Sequence, residues 1–269
     1  MTSRRVIDCT MYAYEPSALE VRLTELAGVV DAVHIVSGDH TYRGHPQTID
    51  RDWNRTGVTH RIVTLPAWTD VQEKVGLTTV ERIQRDLSLS LAAELHDDPD
   101  ALFLLSDGDE IPHPDAVRQA VDEYDTHGPR VLLNDARCWY ADWTAAPNGF
   151  PPRHHLNQPI IGTYADYLAV GGAQNARMAR GFKPTTGRPW RTCDAVGWHL
   201  SDLDGPAMVS DKFGKFSHAE DDNPHDRDLA RLTDTMRRRV WPKHEWPLTH
   251  TRDVPACVPT RFPHLLGGE

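Results

Sequence analysis

Short apolar runs alternate with segments of helical periodicity over much of the chain. Strands are predicted over residues 6–9, 32–36, 60–65, 102–105 and 130–133. Strands that alternate with helices are typical of a sheet covered by helices. The pattern therefore predicts an α/β fold with a mostly parallel sheet and helices on both faces.

Apolar residues that recur every three or four positions predict the helices. One helix starts after Pro16, a second starts at Pro114 and runs to about Tyr124, and a last one covers residues 228–240. The inward stripe of the first helix is predicted to contain Leu19, Leu23, Leu26 and Val30. That of the long helix before the fourth strand is predicted to contain Val80, Ile83, Leu87, Leu91 and Leu95.

Prolines, glycines and aromatic residues interrupt the pattern in the second half of the chain. Residues 139–191 are predicted to form loops that build a binding surface. Residues 242–269 are a proline-rich tail that is predicted to wrap the surface. We interpret residues 1–269 as a single domain, because one α/β domain often reaches this length.

The apolar run at residues 102–105 leads directly into three acids, Asp107, Asp109 and Glu110. Ligands of open α/β sheets bind where the strands end. Two carboxylates separated by one residue can face one hard cation, which in turn can hold a diphosphate. Glu110 is open to a structural or a functional reading. Asp202 and Asp204 have the same spacing and are predicted to be a surface turn.

The charge and the composition narrow the function classes. Asp and Glu outnumber Lys and Arg by 39 to 29, which argues against a protein that follows a nucleic-acid backbone. No apolar run approaches the roughly 20 residues of a membrane span. The four cysteines are too dispersed for a zinc motif, so reduced thiols and a cytoplasmic location are predicted.

Seven separated segments share order and spacing with a known family. They are residues 7–15 (IDCTMYAYE), 19–26 (LEVRLTEL), 36–47 (VSGDHTYRGHPQ), 81–86 (ERIQRD), 106–112 (SDGDEIP), 197–201 (GWHLS) and 212–220 (KFGKFSHAE). With these segments the chain resembles glycosyltransferase family 17, the family of the bisecting N-acetylglucosaminyltransferases. It departs from the family at Ser37, where a glutamate usually follows the valine of the second strand.

The resemblance implies a GT-A-like fold and an inverting glycosyltransferase. The implied reaction moves a sugar, most simply N-acetylglucosamine, from a UDP-sugar to a hydroxyl group with the help of Mn²⁺ or Mg²⁺. The implied partners are the nucleotide-sugar donor and an acceptor, which is a small molecule, a glycan or a protein. The family's branched glycan acceptor is not expected here, and no nucleic acid or membrane span is expected.

The candidate site residues come from the matching segments and their neighbours. Asp109 is the expected direct metal ligand, Asp107 contacts the ribose or a metal-bound water, and His218 completes the metal site. The general base is Glu220 or Asp194. The donor contacts are Asp8, Cys9, Arg82 and Lys212, and Arg82 can alternatively pair with Asp86 on its own helix. The acceptor or sugar contacts are Tyr42, Trp198 and His199, of which His199 can also be a competing metal ligand.

Two other functions remain open at this stage. A metal-dependent nucleotidyl or phosphoryl transferase also uses carboxylate pairs to hold a metal and a diphosphate. A non-catalytic sugar-binding or scaffold protein with the same fold is the alternative of another class, because of Ser37. Release of a nucleoside diphosphate supports glycosyl transfer, whereas release of pyrophosphate supports nucleotidyl transfer.

Overall fold

A computed structural model describes eight stretches of the chain. They are residues 4–42, 44–49, 51–65, 79–145, 159–178, 190–215, 224–242 and 246–268. Within these residues, ten strands form one sheet and helices pack against it.

The strands are β1 (Val6–Met11), β2 (Ala32–Gly38), β3 (Val58–Val63), β4 (Leu102–Asp107), β5 (Glu110–Ile111), β6 (Arg130–Cys138), β7 (Tyr140–Ala145), β8 (Ile160–Thr163), β9 (Arg191–Ser201) and β10 (Leu248–His250). The helices are α1 (Pro16–Glu25), α2 (Thr79–His96), α3 (Pro114–His127), α4 (Tyr164–Ala169), α5 (Ala173–Met178), α6 (Gly205–Lys215), α7 (Leu229–Arg237) and α8 (Val258–Arg261).

The sheet has a parallel half and a mixed half. The strand order is β10-β7-β6-β8-β4-β1-β2-β3, and β9 pairs with β6 and β5. The pairs β4–β1, β1–β2 and β2–β3 are parallel, whereas β8 is antiparallel to both β4 and β6. The predicted α/β class is thus confirmed.

Alternate residues of the central strands pack on opposite faces of the sheet, as the two-residue period of a strand requires. On one face, Leu102 and Leu104 of β4 pack against α3. On the other face, Phe103 and Leu105 pack with residues of α2 and α5. Helices cover both faces, so the central strands are apolar along their whole length.

Several sequence-based boundaries differ from the structure. Helix α1 ends at Glu25, so Leu26 and Val30 lie beyond it. The region predicted to be loops contains β7, β8, α4 and α5 in its described part, because short elements leave too little periodicity to detect. The tail contributes β10 to the edge of the sheet beside β7.

Candidate functional site

The candidate site lies where the parallel strands β1 and β4 end. The strands are in register up to Met11 and Asp107, and a tight turn then joins β4 to β5. A Cβ atom on Gly108 would lie 2.9 Å from the carbonyl oxygen of Met11. Gly108 is therefore needed for close approach of two backbones. The Glu110 carboxylate closes the turn by accepting the backbone N–H of Asp107 at 3.0 Å.

Asp107 is held by two arginines. Arg85 of α2 donates to its oxygens at 3.0 and 3.2 Å, and Arg177 of α5 donates at 3.2 Å. Burial alone would raise the pKa of Asp107, but Arg177 and Arg85 outweigh it and lower the pKa. The side chain keeps 22% of its surface exposed, so an ionised carboxylate faces the site.

Glu110 is fully buried behind the turn. Arg177 donates to both of its oxygens at 2.8 Å. Burial raises the pKa of Glu110 to about 7, although Arg177 opposes this shift. These contacts favour the structural interpretation of Glu110, because its carboxylate accepts hydrogen bonds from a loop amide and from an arginine.

The pairing of β5 with β9 brings His199 close to Asp109. His199 lies opposite Glu110 in this antiparallel pair, and the backbone N–H of Leu200 donates to the carbonyl oxygen of Asp109 at 2.7 Å. The His199 Nε2 atom lies 3.2 Å from Asp109 Oδ2 and 3.1 Å from Ser201 Oγ. Burial would lower the pKa of His199, but Asp109 raises it to about 9. At neutral pH, the imidazolium therefore faces an ionised Asp109.

A second group of charges adjoins Asp109. Lys212 of α6 donates to Glu15 at 3.0 Å and to Asp202 at 3.2 Å, and the backbone N–H of Asp202 donates to Glu15 at 2.7 Å. Glu15 also forms a side-chain hydrogen bond with Asp109. Burial raises the pKa of Glu15 well above its usual value, although Lys212 opposes this shift.

Asp202 lies in a turn after β9, as predicted, but not at the surface. It is buried beside Lys212. Its φ angle of 65° lies in the left-handed region, which residues other than glycine seldom adopt. This backbone conformation turns the Asp202 N–H toward Glu15 after β9 ends, and a non-glycine residue held in it is a feature that clusters at functional sites.

The two candidates on β1 have core environments. Arg22 of α1 donates to both oxygens of Asp8, and neither side chain is exposed. Cys9 packs in the apolar cluster on the α2 face of the sheet. The predicted nucleoside contacts of Asp8 and Cys9 thus lack exposed atoms, because β1 continues two residues further, to Met11.

Other sequence candidates lie at varying distances from the acids. Tyr42 is largely buried near Glu81 and Asp107, next to the site. Trp198 is buried in a core cluster with Ile111, which corrects its predicted contact with a sugar. Arg82 is exposed on α2, and Asp86 does not pair with it but accepts the backbone N–H of Ala173.

The structure gives the backbone position of only one of the two candidates for the general base. Glu220, like the proposed metal ligand His218, lies outside the described residues. Asp194 is on β9, five residues before His199, which on an extended strand corresponds to roughly 16 Å. This backbone position separates Asp194 from Asp109 and does not support it as the base.

The carboxyl groups of the site suit a bound cation. Glu15, Asp109 and Asp202 lie around Lys212 and provide oxygen atoms. Hard divalent ions prefer such oxygen ligands. In the described part of the chain, no three Asp, Glu, His or Cys side chains already converge as a metal site. A full ligand set at Asp109 therefore needs a further group, and His218 remains the predicted one.

Sequence reasoning missed Glu15, Arg85 and Arg177. Glu15 and Arg85 stand inside matching segments, but their side-chain types gave no reason to single them out. Arg177 lies in a region read as loops. The one available signal was that Arg82 and Arg85, three positions apart, share a face of the predicted helix other than its apolar stripe.

An acidic site at the ends of parallel strands, covered by helices on both faces, is typical of an α/β protein that binds a nucleotide or a related ligand. The chain belongs to glycosyltransferase family 17: residues 1–134, which contain β1 to β5 and most of β6, match the family model. The protein is thus a glycosyltransferase with a GT-A-like fold, and the family implies a nucleotide-sugar donor and an acceptor. No curated protein matches the chain at a significant level.

None of the helices in the described ranges combines the length and the apolar character that a membrane span requires.

Proposed function

We propose that the protein transfers a sugar, most simply N-acetylglucosamine from its UDP conjugate, to an acceptor hydroxyl with inversion at the anomeric carbon. The observation that carries this proposal is the pair Asp107 and Asp109, at the end of β4 and inside the segment that matches the family. One acid is held by arginines and the other lies beside His199 and Lys212. A nucleotide-sugar donor, in which a nucleoside is joined to a diphosphate, fits a site with two such chemically distinct acids.

Asp107 is proposed to hold the nucleoside end of the donor. It is ionised and fixed by Arg85 and Arg177, and part of its surface is open. A fixed carboxylate is a good acceptor for ribose hydroxyl groups, because charge-assisted hydrogen bonds are the stronger ones. Tyr42 lies near this carboxylate and is proposed to line the same end of the site.

The diphosphate is proposed to lie toward Asp109. Asp107, Asp109 and His218 are the proposed ligands of a Mn²⁺ or Mg²⁺ ion, which when bound supplies positive charge to the leaving diphosphate. Lys212 and the His199 imidazolium are the cations of the chain at this end. Both groups can compensate negative charge that develops on the leaving group.

Glu15 is proposed to accept the proton of the attacking hydroxyl. Asp202 and Lys212 fix its Oε1 atom, and the site acid Asp109 is its neighbour. A general base must lie within hydrogen-bond reach of the proton that it removes. Glu220 remains the base predicted from the sequence. Mutagenesis of Glu15 and Glu220 distinguishes the two assignments of the base.

The proposed function is tested by offering nucleotide sugars to the protein with and without Mn²⁺. UDP-N-acetylglucosamine with Mn²⁺ is expected to raise the melting temperature, and mass spectrometry is expected to find UDP with a glycosylated acceptor or, with water as acceptor, free N-acetylglucosamine. Release of UMP and N-acetylglucosamine 1-phosphate would contradict sugar transfer, because it breaks the diphosphate and leaves the bond to the sugar intact. Stabilisation by a different nucleotide sugar alone would change the donor and keep the reaction class.

A further inference from the structure

Helix α5 lies beyond the part of the chain that matches the family, yet it contacts the acids of the site. The backbone N–H groups of Ala173 and Gln174 donate to Asp86 of α2 at 2.8 and 3.3 Å. Ala173 and Ala176 pack with Leu89 in the core cluster beneath. Polar and apolar contacts thus fix α5 on α2.

One face of α5 is directed at the network around Asp107. Gln174 and Arg177 are three positions apart and therefore neighbours on the helix surface. The Gln174 side chain accepts a hydrogen bond from Arg85, and Arg177 donates to Asp107 and Glu110. A continuous chain of charged contacts follows from this arrangement, from Glu81 through Arg85, Asp107 and Arg177 to Glu110.

The burial of this network indicates what it does. The side chains of Arg85 and Arg177 are 2% and 4% exposed, whereas Asp107 is 22% exposed. Buried ion pairs contribute little net stability compared with well-packed neutral groups, but they fix geometry in some proteins. The arginines are too enclosed to bind a substrate directly. Their influence on a ligand must pass through the exposed carboxylate.

We propose that Arg177 of helix α5 is a positioning residue. Together with Arg85, it fixes the Asp107 carboxylate for the nucleotide-sugar donor. The inference rests on the proposed function in one respect, namely that Asp107 contacts the donor. Arg177 acts behind Asp107, so its loss changes donor affinity more than the rate of the chemical step. Asp107 belongs to the first half of the chain and Arg177 to the second. Donor affinity at Asp107 then depends on the second half.

The first experiment compares Arg177→Gln with the wild type by calorimetric titration of UDP-N-acetylglucosamine in the presence of Mn²⁺. The dissociation constant is expected to rise about tenfold or more, since a hydrogen bond to a charged group is lost. Guanidinium ion at a concentration that does not denature the protein is expected to restore part of the affinity, because it can occupy the position of the missing group. The Michaelis constant for the donor is expected to change more than kcat.

A matched control separates this effect from the general loss of a buried arginine. Arg130, at the start of β6, is similarly enclosed and pairs with Glu123 of α3, outside the chain of contacts around Asp107. Arg130→Gln is expected to lower the melting temperature without changing donor affinity, and guanidinium is expected to have no effect on that affinity.

A second variant avoids a folding defect, because Arg177→Gln leaves the buried carboxyl group of Glu110 without its hydrogen-bond donor. Glu110→Gln/Arg177→Gln replaces both partners by neutral groups, and Glu110→Gln alone is its reference. The double variant is expected to bind the donor about tenfold more weakly than this reference. Equal affinity of the two variants would overturn the inference while leaving the proposed function intact. Absence of binding between the wild type and every nucleotide sugar would overturn both.

Discussion

Three acids of one turn face three different environments in this site. Asp107 contacts two arginines, Asp109 contacts a histidine, and Glu110 is buried against Arg177. Their pKa values move in different directions as a result, down for Asp107 and Asp109 and up for Glu110. Environments that separate the pKa values of neighbouring acids are a means of assigning them different tasks.

Asp109→Asn is expected to abolish the metal-dependent part of nucleotide binding. The change removes a charged oxygen ligand from the proposed ion, and loss of such a ligand from a hard-ion site is severe. Calorimetric titration of UDP with and without Mn²⁺ measures the effect. The fold is expected to remain intact, because the side chain lies at a strand end and leaves no core cavity.

Asp115→Asn is the control for this change, since Asp115 is an exposed acid in the first turn of α3. It is expected to bind UDP and Mn²⁺ as the wild type does. Near-normal stimulation of turnover by manganese in the Asp109 variant would remove Asp109 from the proposed ligands.

Glu15→Gln is expected to lower turnover by about 10²-fold, the usual contribution of a general base, with donor affinity little changed. The amide still accepts hydrogen bonds from Lys212 and the Asp202 N–H, so the melting temperature is expected to change little. Steady-state kinetics and donor titration measure the two quantities. Normal turnover of this variant together with an inactive Glu220→Gln that still binds donor would assign the base to Glu220.

The sequence was sufficient to find the acids of the site but not their partners. Asp107, Asp109, His199 and Lys212 were predicted from short motifs, and strand register and helix packing bring them together. Glu15, Arg85 and Arg177 depend on contacts across 22 to 197 positions of the chain, which no local pattern encodes. Asp8 was misjudged because an acid on a buried strand resembles a site residue until its arginine is known.

Helix α2 was predicted correctly as a helix, but its buried face was predicted incorrectly. The buried apolar stripe was predicted to contain Val80, Ile83, Leu87, Leu91 and Leu95. Leu95, however, is 49% exposed. The buried residues include Gln84, Arg85 and Ser88. Hydrophobic periodicity assumes that the inward face is apolar. That assumption fails here because α2 presents polar groups to the site and to the carbonyl oxygen of Val36.

The contact between β2 and the end of α2 predicts a pH dependence of stability. The Nε2 atoms of His34 and His96 lie 2.9 Å apart. Burial, followed by His96 and Arg61, lowers the pKa of His34 from 6.5 to about 4. The unfolded chain therefore takes up a proton before the folded protein does, and the free energy of unfolding falls as the pH falls from 6.5 toward 4.

His34→Gln is expected to remove this contribution, which is on the order of 3 kcal/mol over the full interval. Urea unfolding of the wild type and the variant at pH 7, 6 and 5 measures it. Parallel pH profiles for the two proteins would show that His34 does not titrate in this way.

In the whole molecule, the residues that match the family model and the residues that follow them depend on each other for packing. Strand β4 lies between β1 from the matched part and β8 from beyond it. Leu104 packs with Ile161, and Phe103 packs with Ile160 and Tyr167. The central strand of the site thus needs both halves of the chain to be covered and paired.

A fragment of residues 1–134 is expected not to fold cooperatively. It leaves β4 without β8 and Glu110 without Arg177, so an apolar strand edge and a buried charge lose their partners. Urea denaturation followed by circular dichroism is expected to show one cooperative transition for the full chain and none for the fragment. A sharp transition of the fragment would show that the matched half is an autonomous unit.

The Glu15–Lys212 pair has a consequence for the protein during its synthesis. The two residues are 197 positions apart. A ribosome adds roughly 5–20 residues each second, so Glu15 is added to the chain roughly 10–40 s before its lysine. Until Lys212 is made, the nascent chain lacks the cation that pairs with Glu15. The candidate site is completed only after α6 has been made, so a nascent chain that has not reached α6 is expected not to consume nucleotide sugar.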